Sequence, residues 1–79
     1  MTGGPTPVNI PKLGVSMTEA VLSSWVAADG DPIAPGQVIC VIETDKVEQE
    51  IEAPVGGTLI HRGQVGDTYQ VGELVAEIR

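Results

Sequence analysis

The sequence predicts an all-β fold of two packed sheets related by approximate two-fold symmetry, and three observations lead there. Val, Ile and Leu carry most of the apolar bulk, with no Phe and only Trp25 and Tyr69 as aromatics; branched side chains pack well on a pleated surface. Six prolines and ten glycines interrupt the 79 residues, too often for any helix-length window to stay clean. The third observation is an internal repeat. Gly30-Asp31-Pro32-Ile33-Ala34-Pro35-Gly36-Gln37-Val38-Ile39 recurs as Gly66-Asp67-Thr68-Tyr69-Gln70-Val71-Gly72-Glu73-Leu74-Val75, an offset of 36 that also matches Ile42 to Ile78. Two similar β-halves that each expose an apolar face bury it by packing on one another, as a sandwich or flattened barrel.

The elements follow in order. Residues 1–7 include the run Gly3-Gly4-Pro5-Thr6-Pro7 and are expected to form a flexible tail, leaving residues 8–79 as the folded domain. Val21-Leu22 lies in a strand that ends near Trp25 and aligns with Thr58-Leu59 at an offset of 37, which places a one-residue length difference in the loop that follows. Each half then reads as strand, Gly-Asp turn, short strand, Gly turn, strand. The first half closes on Val38-Ile39-Cys40-Val41-Ile42, a short β-branched run, and the second on Leu74 to Ile78. Between the halves, Glu48, Glu50 and Glu52 alternate with Gln49, Ile51 and Ala53, the period of a strand with one acidic face.

Val38–Ile42 and Glu48–Ala53 therefore form a hairpin whose turn is Thr44 to Val47. Asp45 and Lys46 at its centre need no positive φ, so a type I turn suits them better than the glycine-demanding primed types. The geometry leaves Lys46 at the outer end of a stiff hairpin, far from any core, where another enzyme can reach its amine. Two-fold symmetry would put this turn at one end of the molecule and the chain termini at the other.

Composition narrows the function. The 79 residues make one small domain, near the size where burial alone only just holds a fold. Eleven acidic residues against four basic ones give a formal net charge of -7, which argues against nucleic acid, whose binding needs a Lys/Arg stripe. The acidity reads either as solubility or as steering towards basic surfaces on partner enzymes. A single Cys40 excludes an intramolecular disulfide and a zinc-binding Cys cluster. Neither a secretory signal nor an apolar run of bilayer length is evident, so no membrane is implied and a cytoplasmic location is expected.

Other candidate residues have plain structural readings. Cys40, inside an apolar strand, is expected to be a small buried hydrophobe. His61 has no Ser, Cys or carboxylate partner in any recognisable motif, so no catalytic or metal role is assigned. Trp25 is a core or rim anchor. The row Glu48, Glu50, Glu52 is a solvated strand face, since side chains in line on one strand rarely enclose a divalent cation. Gly30, Gly36, Gly66 and Gly72 do not form a phosphate loop, because none leads from a strand into a helix.

Three stretches now carry a resemblance: Ile10-Pro11-Lys12-Leu13-Gly14 with Met17-Thr18-Glu19; Glu43-Thr44-Asp45-Lys46-Val47; and Glu50-Ile51-Glu52-Ala53-Pro54 with Gly57. In that order, across residues 8–79, the chain resembles the lipoyl domains (biotinyl/lipoyl attachment family) of the dihydrolipoyl acyltransferases in 2-oxo acid dehydrogenase complexes. The resemblance implies a flattened β-barrel, a barrel-sandwich hybrid of two four-stranded antiparallel sheets with quasi-two-fold symmetry. It also implies that Lys46 carries lipoic acid in amide linkage as a swinging arm, and that Glu43, Thr44, Asp45 and Val47 form the turn through which the modifying enzyme selects it. That enzyme would be a lipoate-protein ligase or a lipoyl/octanoyl transferase.

The implied partners continue from there. A thiamine-diphosphate-dependent 2-oxo acid dehydrogenase acylates the arm reductively, an acyltransferase catalytic domain passes the acyl group to coenzyme A, and dihydrolipoyl dehydrogenase, a flavoprotein, reoxidises the dithiol. The loop after the first strand, Leu13, Gly14, Val15, Ser16 and Met17, is implied as the partner-recognition surface, with ordinary packing as the other reading for Leu13 and Met17. Biotinyl carrier domains are similar in fold but place methionine on both sides of their lysine; here Asp45 and Val47 stand there. Ala20 departs from the glycine that many lipoyl domains have after the glutamate. The expectation is a non-catalytic carrier, with a biotin carrier or an unmodified interaction module as alternatives. The chain fits either an excised domain, from the mitochondrial matrix if eukaryotic, or a free-standing carrier.

Overall fold

The computed structural model describes residues 4–12, 14, 17–45 and 47–79. Among the described residues eight strands run in order: β1 (Thr6–Asn9), β2 (Glu19–Trp25), β3 (Pro32–Ile33), β4 (Val38–Glu43), β5 (Glu48–Glu52), β6 (Gly57–His61), β7 (Thr68–Gln70) and β8 (Leu74–Ile78). They form two four-stranded sheets, β1-β8-β6-β3 and β5-β4-β2-β7, with every pairing antiparallel. The expected two-sheet fold is present, but the sheets do not close into a barrel; each keeps its own two edges.

The repeat is written into the hydrogen bonds. The Gly30 N–H donates to the Leu59 carbonyl at 2.7 Å, and Leu59 N–H donates to the Asp31 carbonyl; in the other half Gly66 donates to Leu22 at 2.9 Å, and Leu22 donates to Asp67. The Ile39 carbonyl accepts from both Val26 and Ala27, as the Val75 carbonyl accepts from both Arg62 and Gly63. Gly30 and Gly66 sit at φ 88° and 94°, a left-handed conformation that L side chains rarely adopt. The symmetry therefore exchanges β2 with β6, β3 with β7, β4 with β8 and β5 with β1.

Both closing strands break alternation in the same way. In β4 the register against β5 shifts between Val38 and Cys40, and Ile39 and Cys40 are both buried; in β8, Val75 and Ala76 are both buried beside the shift against β1 between Val8 and Asn9. A bulge sets two consecutive residues against one and turns both towards the core. The core is one cluster in which Leu22, Ile39, Ile42, Leu59 and Val75 are fully buried.

Two boundaries differ from expectation. The one-residue difference between the halves does not lie in the loop. Leu22 pairs with Ile42 and Ser24 with Val41, whereas Leu59, Ile60 and His61 pair with Ile78, Glu77 and Ala76 without interruption. The extra residue is Ser23, a bulge inside β2. Thr6 and Pro7, placed in the tail by their composition, are strand residues opposite Ile78 and Glu77. Proline is tolerated there because β1 is a sheet edge; residues 1–3 lie outside the described residues.

Trp25 and His61, which are 36 positions apart and so equivalent under the repeat, stack on one another with ring centroids 3.7 Å apart and planes 9° from parallel. The His61 N–H donates to the Asp29 carboxylate at 2.8 Å, and its Nε2 lies 2.9 Å from the Ala27 carbonyl. A carbonyl only accepts, so Nε2 carries the proton. On β8, Glu77 accepts from Arg62 at 3.0 Å and lies 3.6 Å from Arg79; the hydrogen bond from Arg62 holds its carboxyl below the usual carboxylate value.

Gly57 and Gly36 separate close approach from backbone strain. A Cβ at Gly57, at φ 148°, would stand 2.4 Å from the Arg79 carbonyl oxygen, whereas one at Gly36, at φ 83°, would meet nothing within 4 Å. Gly36→Ala should lose about 1 kcal/mol of stability. Gly57→Ala adds displacement of the β6–β8 ladder and should lose about 2–3 kcal/mol. Urea denaturation of the two variants checks the order.

Candidate functional site: the β4–β5 hairpin tip

The tip is built on a fixed base. β4 lies between β5 and β2, with Ile42 paired to Gln49, Glu43 to Glu48, and Val21 to Glu43. Ile42 is fully buried, so its side chain anchors the strand one residue before the polar end begins. Beyond the Glu43–Glu48 pair four residues remain. The Thr44 N–H donates to the Val47 carbonyl at 2.8 Å, and the Thr44 hydroxyl lies 3.3 Å from both the Val47 nitrogen and the Val47 oxygen. Glu43 and Asp45 are exposed, Thr44 is half-buried and Val47 is 52% exposed. Lys46 lies outside the described residues; its two chain neighbours both face solvent.

Strand pairing adds residues that no local motif indicated. A shallow groove beside the tip is lined by Glu19, Ala20, Val21, Glu43, Thr44, Asp45 and Thr68. Val21 pairs with Glu43 on one side and Thr68 on the other, which brings the start of β2 and of β7 to the tip. The groove would have required knowledge of the β4-β2-β7 order. The four strands of this sheet carry five glutamates (Glu19, Glu43, Glu48, Glu50 and Glu52) and no lysine or arginine. The other sheet has its strand glutamate, Glu77, paired with two arginines. Negative potential is therefore concentrated on the sheet that bears the hairpin.

The loop after β1 enters β2 at this same end. Ile10 is buried, with its N–H donating to the Glu73 carbonyl and its own carbonyl accepting from Gly72. Gly14 is exposed and accepts from the Met17 N–H at 3.1 Å, while the Met17 side chain packs against the core, the packing role that was one of its two readings. Leu13, Val15 and Ser16 lie outside the described residues.

Other reactive groups are placed elsewhere. Cys40 is fully buried in β4, and burial pushes its thiol up to about 11. The His61 ring faces Trp25 and a carbonyl oxygen. Among the described residues no group of three His, Cys, Asp or Glu side chains comes together as a metal site.

Comparison with known proteins adds a family to this geometry. The Biotin_lipoyl family model, described as biotin-requiring enzyme, matches residues 6–78. The dihydrolipoyllysine-residue acetyltransferase component of the pyruvate dehydrogenase complex of Corynebacterium glutamicum is 38% identical over 98% of this chain. The lipoamide acyltransferase component of the branched-chain alpha-keto acid dehydrogenase complex of Bacillus subtilis is 38% identical over 90%. The chain spans only 12% and 17% of the lengths of these two relatives. In solution structure, the lipoyl domain of the 2-oxoglutarate dehydrogenase complex of Azotobacter vinelandii superposes with a TM-score of 0.76 at 27% identity, covering 94% of this chain and 95% of that one.

The buried thiol gives a prediction. A group whose pKa is raised in the folded state contributes stability below its unfolded value and loses that contribution as pH rises through the folded value. Cys40 should therefore destabilise the fold progressively between about pH 9 and 11. Below that window, labelling by a thiol reagent should proceed only through unfolding. Mass-detected labelling against urea concentration checks this.

Proposed function

This chain belongs to the biotin/lipoyl attachment family, and we propose that it is a lipoyl carrier domain with Lys46 as the attachment residue. It is a small carrier domain, not a catalytic one. One observation carries the site: the Thr44–Val47 closure ends a rigid hairpin and leaves Asp45 and Val47, the neighbours of Lys46, facing solvent. An amide-linked arm fits such a tip, since it would project clear of the fold and take no space from the core.

The chain's own contribution to the chemistry is presentation. An exposed lysine has a pKa of about 10.4, so the modifying enzyme must deprotonate the amine and supply an activated acyl group. Amide formation removes one positive charge, which takes the formal net charge from -7 to one unit more negative. Bound lipoate would supply a dithiolane that accepts acyl groups and electrons. The domain would hold it on a flexible tether, at roughly millimolar effective concentration towards neighbouring active sites. The relatives above support a place in a 2-oxo acid dehydrogenase complex. The partners are then a lipoate-protein ligase or lipoyl/octanoyl transferase, a thiamine-diphosphate-dependent dehydrogenase, an acyltransferase domain and dihydrolipoyl dehydrogenase. The five-glutamate sheet supports electrostatic steering towards basic surfaces on those enzymes.

Intact mass after incubation with a lipoate-protein ligase, ATP and lipoate should show one lipoyl increment on the wild type and none on Lys46→Ala. A parallel reaction with a biotin ligase should leave the mass unchanged; biotinylation instead would make this a biotin carrier. An increment that survives Lys46→Ala would move the site to another lysine. For the loop after β1, Val15→Glu should lower reductive acylation by the partner dehydrogenase several-fold while lipoylation persists, as stopped acylation assays on the lipoylated domain would show.

A further inference from the structure

The tip poses a problem of backbone geometry. With Glu43 and Glu48 as the last paired residues, Thr44 and Val47 flank a loop of two residues, Asp45 and Lys46. Two-residue hairpins favour primed turns with positive φ, because the twist of those turns matches that of the strands. No described non-glycine residue, Asp45 included, has positive φ. A turn of the opposite twist tends to splay the strands it joins, opening a gap between the flanking residues that the Thr44 N–H to Val47 carbonyl bond of 2.8 Å spans on one side. The Thr44 hydroxyl sits at that gap, 3.3 Å from the Val47 N–H that it accepts from and 3.3 Å from the Val47 carbonyl that it donates to.

Resting on the lipoyl reading, we propose that Thr44 is a positioning residue: its hydroxyl latches Val47 across the turn and keeps the end of the hairpin closed for the enzyme that modifies the lysine. Three features suit Thr44 to this. Its branched Cβ restricts χ1, so the hydroxyl loses little freedom when it bridges. Its backbone N–H makes the 2.8 Å bond to the same residue, Val47, so side chain and main chain close the loop together. It also lines the groove beside the tip with Glu19, Val21 and Thr68, where an approaching enzyme would read the turn. Without the latch the Thr44–Val47 closure must be completed on binding, and that loss appears in affinity for the domain.

The test compares wild type, Thr44→Val, which keeps the branched shape without the hydroxyl, and Thr44→Ser, which keeps the hydroxyl. Lipoylation rates with a lipoate-protein ligase, ATP and lipoate are followed by intact mass over a range of domain concentrations. One hydrogen bond's worth of ordering predicts a KM about tenfold higher for Thr44→Val, with kcat within about twofold of wild type and Thr44→Ser close to wild type. Acetylation of Lys46 by a small activated ester should proceed at the same rate in all three, because the amine itself is unchanged. An unaltered KM in Thr44→Val, or an equal rise in Thr44→Ser, would overturn the latch, even if the thermal midpoint falls. A wild type that accepts no lipoate would overturn the carrier reading itself.

Discussion

Each half of this chain completes its turns with backbone groups from the other half. The Gly30 amide is satisfied by Leu59 and the Gly66 amide by Leu22, while the N–H groups of Leu59 and Leu22 return bonds to Asp31 and Asp67. Leu22 and Leu59 are also fully buried, so the residues that exchange hydrogen bonds are the residues that fill the core. An isolated half would leave these amides and carbonyls unpaired and expose one apolar face, and both are costly. The sheets, the left-handed glycine turns and the bulges at Ile39 and Val75 all depend on that reciprocal closure.

Function departs from the symmetry that stability keeps. β4 and β8 are equivalent in burial and in their bulges, but β4 continues into a closed hairpin with β5, whereas β8 pairs with β1 from the other end of the fold. Their charge differs too. Glu77 on β8 is neutralised by Arg62 and Arg79, while the glutamates of β2, β4 and β5 have no basic residue on their own sheet. The two halves share one backbone plan with different surface chemistry. On the proposed carrier reading, the attachment lysine follows β4 of the more acidic sheet, where partners with basic surfaces would be drawn first to the tip.

Much of this was legible because it is local or repeated. Gly30 and Gly66 announced the turns, the 36-residue offset announced the halves, and the β-branched run Val38–Ile42 followed by Glu48–Ala53 announced the hairpin. Burial of Cys40 followed from its apolar neighbours. What escaped the sequence is non-local. Ser23 reads as one more residue before a loop, and only the pairing of Leu22 with Ile42 and Ser24 with Val41 shows it as a bulge. Pro7 suggests a chain breaker until β1 is found at a sheet edge. The stack of Trp25 on His61 and the groove that brings Thr68 to Asp45 join residues dozens of positions apart. The Thr44 hydroxyl belongs to a motif noted for its lysine, and its use as a bridge becomes visible only with Val47 placed opposite.

The exchange of β5 with β1 has a consequence for engineering. Thr6 pairs with Ile78 as Gln49 pairs with Ile42, so the start of β1 and the end of β8 stand side by side at the corner equivalent to the hairpin. A short linker could join them and new ends be opened elsewhere, giving a circularly permuted domain with two tips in place of one. Grafting Glu-Thr-Asp-Lys-Val into the new connection would, on the proposed reading, give a double-armed carrier on an unchanged core.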